Sequence, residues 1–304
     1  MNSTTTSAPQ RSLFDRLADM DERTLAVCLL APAFIFISII VVYPVATLVW
    51  NSFNDVRLLT GKPARFAGIE NYLLVLSDAQ FWRAVKNTLI IVFVTVPGAL
   101  VCGLALAMLA NMPFKSRGPI RLALLLPWAM PLAFVGLIFA WFFNSEYGVI
   151  NDVLRRLGME PQIWFNSGPL TMMAICMATI WKTSSFMALI LLAGLQTIPK
   201  SLYEAAEVDG ASHWRQFTDI TLPLLVPSML VALIFRTLTA IQSFDIPYSM
   251  PGPGEETQTL AMYIHMNAVD YLDLGYSSAL AVVMFGLSMA TTFVYLKYVR
   301  ADGK

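Results

Sequence analysis

The sequence predicts an all-α polytopic membrane protein with six transmembrane helices, and three observations carry that expectation. The chain is 57% hydrophobic and only 13% charged, with a mean hydropathy of +0.63, whereas a soluble domain covers itself with about 25% charged residues. Its apolar residues fall into runs of about 20 or more, the length a helix needs to cross the hydrocarbon. The short polar segments between those runs carry their basic residues unevenly, as topogenic loops do.

Taken in order, the runs are residues 25–50, 88–110, 120–143, 170–195, 222–244 and 277–298. The first follows a polar tail, residues 1–24, whose first ten or so residues read as disordered. It is longer than a signal-peptide core and no small-residue cleavage site follows it, so it reads as a retained span. Pro32, Pro44, Pro97, Pro127, Pro131 and Pro227 predict kinks, which spans tolerate where neighbouring helices satisfy the freed carbonyls. Six spans put both ends on one side. With that side cytoplasmic, inner segments hold 11 Lys and Arg against 7 outside, and the outer loop 243–276 holds none. The bias predicts N-in, C-in, with a cytoplasmic C-terminal tail at 301–304.

Two outer loops carry structure signals. In 144–168, Val149, Ile150, Val153, Leu154 and Leu157 recur at helical spacing and Gly158 supplies a stop. Segment 66–86 mixes aromatic and charged residues and reads as interfacial. No repeat of 20–50 residues is visible. Cys28, Cys102 and Cys176 are odd in number, lie in apolar runs and read as small buried hydrophobes. His213 and His265 are too few and too far apart for a histidine metal site. Net charge is zero, so no strongly charged partner is implied. No Gly-Lys-Ser/Thr phosphate loop is present, so ATP hydrolysis is not expected in this chain.

The cytoplasmic segment 198–223 holds the densest pattern: Glu204-Ala205-Ala206, then Gly210, Ile220 and Leu222-Pro223. Ser201 is a candidate N-cap, and Glu204 completes a capping box. Small Ala205 and Ala206 let a partner approach closely, and Gly210 permits a left-handed turn. Residues 213–220 predict a second short helix with Trp214, Phe217 and Ile220 on one apolar face. A rigid helix–turn–helix of this kind fits a groove on a partner and passes a push into spans four and five.

This segment resembles the signature loop of ABC importer permeases and matches it at every defining position. Further matches are Pro32-Ala33-Phe34 through Tyr43-Pro44 to Trp50-Asn51-Ser52-Phe53, Gly68-Ile69-Glu70-Asn71-Tyr72, Phe81-Trp82, Asn87-Thr88 and Leu126-Pro127-Trp128-Ala129-Met130-Pro131. Over roughly 25–300 the chain resembles binding-protein-dependent sugar permeases of the maltose and glycerol-phosphate group. It lacks the extra N-terminal spans and large outer insertion of the maltose permease. Within the group it is most similar to SugA-type permeases of mycobacterial trehalose importers. The resemblance implies the type I ABC importer permease fold in a bacterial inner membrane. It implies that Glu204, Ala205, Ala206, Asp209 and Gly210 form a coupling helix docked into an ATPase. It implies as partners a SugB-like second permease, two copies of a SugC-like ATPase and a lipid-anchored, LpqY-like sugar-binding protein. This chain would bind no cofactor, ATP and Mg residing on the ATPase.

Charges inside spans are costly and point to function or internal pairing. Lys182 lies near the middle of span four, Arg236 about two-thirds across span five, and Asp245 where that span emerges. They read either as a polar cavity lining, with Lys182 and Arg236 donating to sugar hydroxyls, or as charges paired with the second permease. The resemblance places sugar-contacting positions at Trp128, Leu132, Thr179, Lys182, Thr183, Phe186, Arg236, Thr239, Ala240 and Ser243, beside Gln242, with Trp128 as the stacking aromatic. The expected function is half of an alternating-access pathway for a sugar, a disaccharide such as trehalose. An anionic sugar or glycerol phosphate is the alternative within the group. An ion-coupled secondary transporter would leave the loop unexplained and offers no acid within a span. A membrane enzyme lacks a nucleophile–base set.

Overall fold

The computed structural model describes residues 21–112, 117–250 and 254–302. Most of the N-terminal tail, Lys115 of the first inner loop and the last two tail residues lie outside the described residues. The chain separates into two compact units, Met1–Trp50 and Asn51–Lys304.

The first unit contains nearly all of helix α1 (Glu22–Ser52). No part of its apolar window is buried in the chain, and Phe34, Phe36 and Ile40 stand more than 60% exposed. A helix apolar all round is one that lipid solvates. Pro44 has no N–H, and its ring crowds the carbonyl four residues back. The helix widens into a π segment, Ser38–Val42, just ahead of it.

The second unit opens with a short antiparallel hairpin, β1 (Asn54–Asp55) and β2 (Arg65–Phe66), with Asn54 opposite Phe66. There follow α2 (Glu70–Ser77), α3 (Ala79–Asn111), α4 (Arg117–Ala129), α5 (Leu132–Phe142), α6 (Val149–Arg156) and α7 (Gly168–Thr197). Then come α8 (Lys200–Val208), α9 (His213–Ile241), α10 (Asp245–Ser249), α11 (Leu260–His265) and α12 (Leu274–Asp302). Helices α1, α3, α7, α9 and α12 are long and apolar enough to cross a membrane, and α4 with α5 make a sixth, broken span.

The broken span departs from the sequence reading, which drew residues 120–143 as one helix: α4 and α5 meet at 97°. Pro131 cannot donate to the preceding turn, and it drives Met130 away from helical geometry. The helix restarts with Pro131 as its N-cap residue, and Val135 N–H bonds Pro131 O at 3.2 Å. Helix α3 begins well before residue 88 because Asp78 caps it, its Oδ1 accepting the Gln80 N–H at 2.8 Å. Helix α12 runs on through residues 301 and 302, which the sequence reading gave to the tail. Cys176 is buried, but Cys28 and Cys102 sit on outward helix faces and are exposed, so only one of the three packs inside the chain.

Lipid tails are as apolar as leucine, so helices in a bilayer are held by close packing and interhelical hydrogen bonds rather than by expulsion of water. Helices α3 and α7 meet along their length. At Gly103 an added Cβ would stand 2.6 Å from Met187 Cβ and 3.0 Å from the Ser184 carbonyl, so only glycine fits. Two buried apolar clusters flank this contact. The outer one includes Ile91, Val135, Phe143, Trp164, Ile175 and Ile246; the inner one includes Ala107, Leu124, Leu191, Leu195 and Leu225. The amphipathic helix expected near 149–157 is α6, closed at Gly158. Fully buried Asn151 fastens it, accepting the Trp164 Nε1–H at 2.9 Å and donating to the Ser145 and Gln162 carbonyls.

At the outer end Asp78 ties α3 to α11 and α12. It accepts the hydroxyls of Tyr263 and of Tyr276, the latter at 2.7 Å. Burial works against its charge, but the tyrosine hydroxyls and the Gln80 and Phe81 N–H groups outweigh burial and hold Asp78 below the usual carboxylate range. Burial, and then the bond to Asp78, push Tyr263 up to about 12.

Candidate functional site

Two places join chemistry to the fold: the inner loop between α7 and α9, and a polar cavity where α5, α7, α9 and α10 converge.

In the loop, Gly210 has φ +74° and ends α8 in a Schellman turn. Its N–H bonds Glu207 O at 3.0 Å, and the Ala211 N–H bonds Ala206 O at 2.8 Å. Two local details differ from the sequence reading. Helix α8 starts at Lys200 with Pro199 as its N-cap residue, so Ser201 lies inside the helix and no capping box forms; a proline here already supplies the extended entry. Residues 213–220 are not a separate helix either. They run through a π segment, Phe217–Thr221, straight into span five. The π widening relieves the crowding of the Asp219 carbonyl by Pro223, and Ser212 caps the start, accepting the Arg215 N–H at 3.3 Å. The loop is therefore a rigid extension of α9. The Tyr203 and Thr221 hydroxyls, 2.8 Å apart, lock α8 onto it. Tyr203 and Ile220 pack on the inner apolar cluster. Glu204, Ala205, Asp209 and Gly210 are exposed, Ala206 is half-buried, and Val208 and Trp214 are 89% and 73% exposed.

The cavity, about 80 Å³, is lined by Leu132, Thr179, Thr183, Arg236, Thr239, Gln242, Ser243, Phe244, Asp245 and Ile246. Seven of the eleven candidate pathway positions, Leu132, Thr179, Thr183, Arg236, Thr239, Gln242 and Ser243, thus meet at one place. Arg236 is only 3% exposed. Its Nη2 donates to Thr95 Oγ1 at 2.6 Å and its Nη1 to Thr239 Oγ1 at 3.2 Å, while Nε is buried without a partner. The Thr179 hydroxyl is likewise buried and unpartnered. Among the described residues no carboxylate lies within ion-pairing distance of Arg236. A charge at mid-membrane costs about 3 kcal/mol on insertion scales, and an interhelical hydrogen bond returns about 0.6–2 kcal/mol. The two threonine bonds hold the side chain in place and leave its Nε without a partner.

Trp128, Lys182, Phe186 and Ala240 lie outside that lining. Trp128 is 51% exposed and Phe186 half-buried. Lys182 is buried, and its ammonium donates to the Pro127 and Trp128 carbonyls at 2.6 and 2.5 Å. Ser185, one turn on, bonds the Leu124 carbonyl. The Pro127 and Trp128 carbonyls lie in the last turn of the helix, where the break deprives them of helical partners, and a cation suits the carbonyl end of α4. Lys182 therefore fastens the break from the side of α7. Sequence reasoning missed this, as it missed Thr95 and the Asp78 cluster. Proline in span three was the one available signal that carbonyls would need a donor.

Six spans, an exposed inner loop and a polar cavity at a broken span are the architecture of a polytopic membrane permease. Residues 99–301 match the family model for the binding-protein-dependent transport system inner membrane component, and the chain belongs to that family. It is 63% identical over 287 residues to the sulfoquinovosyl glycerol transport system permease protein SmoG of Agrobacterium fabrum, covering 94% of this chain and 93% of that protein. It is 39% identical over 282 residues to the trehalose/maltose permease MalF of Thermococcus litoralis, covering 92% and 95%. To the trehalose permease SugA of Mycobacterium tuberculosis it is 33% identical over 301 residues, covering 96% and 95%. The fold matches a chain of a bacterial alginate ABC transporter solved with its pentasaccharide-bound periplasmic protein, with TM-score 0.82, 22% identity and 96% and 98% coverage. The chain is thus a multi-pass inner-membrane permease of an ABC sugar importer, a system that works with a substrate-binding protein.

Proposed function

We propose that this permease forms half of the translocation pathway for sulfoquinovosyl glycerol or a closely related sulfonated glycoside. The observation that carries the reading is 63% identity, sustained over 94% of the chain, to a permease of that name. The pathway residues are those of the cavity, with Trp128 and Phe186 on the same stretch of spans three and four and Lys182 securing the break between them. Glu204, Ala205, Ala206, Asp209 and Gly210 dock into the ATPase subunit. ATP closes two ATPases, the rigid loop pushes α9, and two permeases rock so that the cavity opens outward to receive sugar from the binding protein. The chain itself binds no cofactor, since ATP and Mg sit on the ATPase. A second permease, two ATPase copies and a lipid-anchored or periplasmic binding protein complete the assembly, in the roles of SugB, SugC and LpqY.

Trehalose is the second reading, favoured by the relatives at 39% and 33% identity. Competition decides between them. Uptake of labelled sulfoquinovosyl glycerol by cells expressing the whole importer resists a large excess of trehalose under the first reading. Under the second, trehalose abolishes it or is itself the only sugar taken up.

A further inference from the structure

We infer that Arg236 is a subsite for the acidic group of the transported solute, resting on the sulfonated-glycoside reading above. A cation inside a span ordinarily meets an acid on a neighbouring helix or lies near a helix end, where it reaches water. Arg236 does neither. It is 3% exposed, and it spends two N–H donors on threonine hydroxyls. A guanidinium has five such donors. Arg236 and Thr179 line the same cavity, and each keeps a buried polar atom, Nε and Oγ1, without a hydrogen-bond partner in the chain. Lys182, the other buried cation among the described residues, is engaged on two carbonyls and is no rival for the role.

The cavity's size defines what enters. A space of about 80 Å³ takes an acidic head group, whereas a whole small-molecule site measures about 300 Å³ or more. The sugar ring therefore rests elsewhere in the pathway, on surface completed by the second permease. Asp245 lines the same cavity but is exposed. Its carboxylate accepts hydroxyl hydrogen bonds and repels a second acid, so the two charges orient the solute with its acid toward Arg236 and its hydroxyls toward Asp245. Sulfonate, carboxylate and phosphate all accept a guanidinium fork.

The test uses the complete importer in proteoliposomes with its binding protein. Uptake of sulfoquinovosyl glycerol is compared with that of glucosyl glycerol, which carries a hydroxyl in place of the sulfonate. Arg236→Gln is expected to cut uptake of the sulfonated glycoside about 10- to 100-fold, the worth of a hydrogen bond to a charged group, with a smaller loss for the neutral one and with Arg236→Lys falling between. If Arg236→Gln transports the sulfonated glycoside within twofold of wild type, or loses both glycosides equally, the subsite is wrong and the substrate reading stands. If wild type ignores the sulfonated glycoside but imports another acidic sugar that Arg236→Gln loses, the reading falls and the subsite stands. Import of neutral sugars alone overturns both. Should Arg236→Gln fail to assemble, Thr179→Val decides: a loss confined to the sulfonated glycoside supports the subsite, and an equal loss contradicts it.

Discussion

The inner loop and the polar cavity are built on opposite terms. The loop takes its shape from residues close to one another in sequence: a proline entry at Pro199, a Schellman turn at Gly210 and a serine cap at Ser212. Its partners are left outside, with Val208 and Trp214 standing in the open. The cavity is assembled from α5, α7, α9 and α10, its cation is steadied by Thr95 on α3, and its charge is turned inward. In the function proposed above, one region is a handle held by another protein, and the other is a lining that meets solute. Substitutions in the first should separate energy from transport, while substitutions in the second should change which solute passes.

The largest effect falls on the handle. Glu204→Lys reverses an exposed charge at the docking face, where like charges cost several kcal/mol. Solute-stimulated ATPase activity of the reconstituted complex is expected to fall about 100-fold, with the thermal midpoint of the permease unchanged. An unaltered stimulation would remove Glu204 from the interface.

Next comes the break in span three. Lys182→Met strands the Pro127 and Trp128 carbonyls in hydrocarbon. Each bond to a charged donor is worth about 1.5–3 kcal/mol, so the detergent-solubilised complex should melt several degrees lower. Retention of the wild-type midpoint would mean that the break needs no fastening.

Gly210→Val sharpens the comparison from the other direction. A β-branched residue at φ +74° is strained by about 1–2 kcal/mol or more, which loosens the turn without touching the cavity. Transport should fall about tenfold, and the preference between sulfonated and neutral glycosides should not move. A changed preference would blur the division between handle and lining.

The smallest effect lies at the outer rim. The folded state holds Asp78 below its unfolded pKa of about 4. The stability it lends is present above that value and is lost as pH falls through the lower, folded value. Thermal melts between pH 6 and 3 should show wild type losing an increment that Asp78→Asn lacks throughout.

How much of this the sequence disclosed follows the same division. Spans announce themselves because a run of apolar residues is a local fact, and the turn at Gly210 did so because its signal is local too. The 97° bend was half legible: Pro131 marks a break, but its angle depends on what α7 offers in Lys182 and Ser185. Helix α9 swallowed a predicted separate helix because a π segment can absorb Pro223 without ending the helix, a choice that local propensity does not decide. Arg236 stood out as a charge within a span, yet Thr95, more than a hundred residues away, could be assigned to it only through the packing of α3 against α9.

ATPase activity of the co-purified complex in lipid, with its binding protein, tests the central claim most directly. A panel of sulfoquinovosyl glycerol, trehalose and glycerol 3-phosphate is added in turn. Stimulation by the sulfonated glycoside, lost in Glu204→Lys, is the predicted result. Failure of any ATPase to co-purify, or activity indifferent to all three solutes and to the loop, would contradict the account.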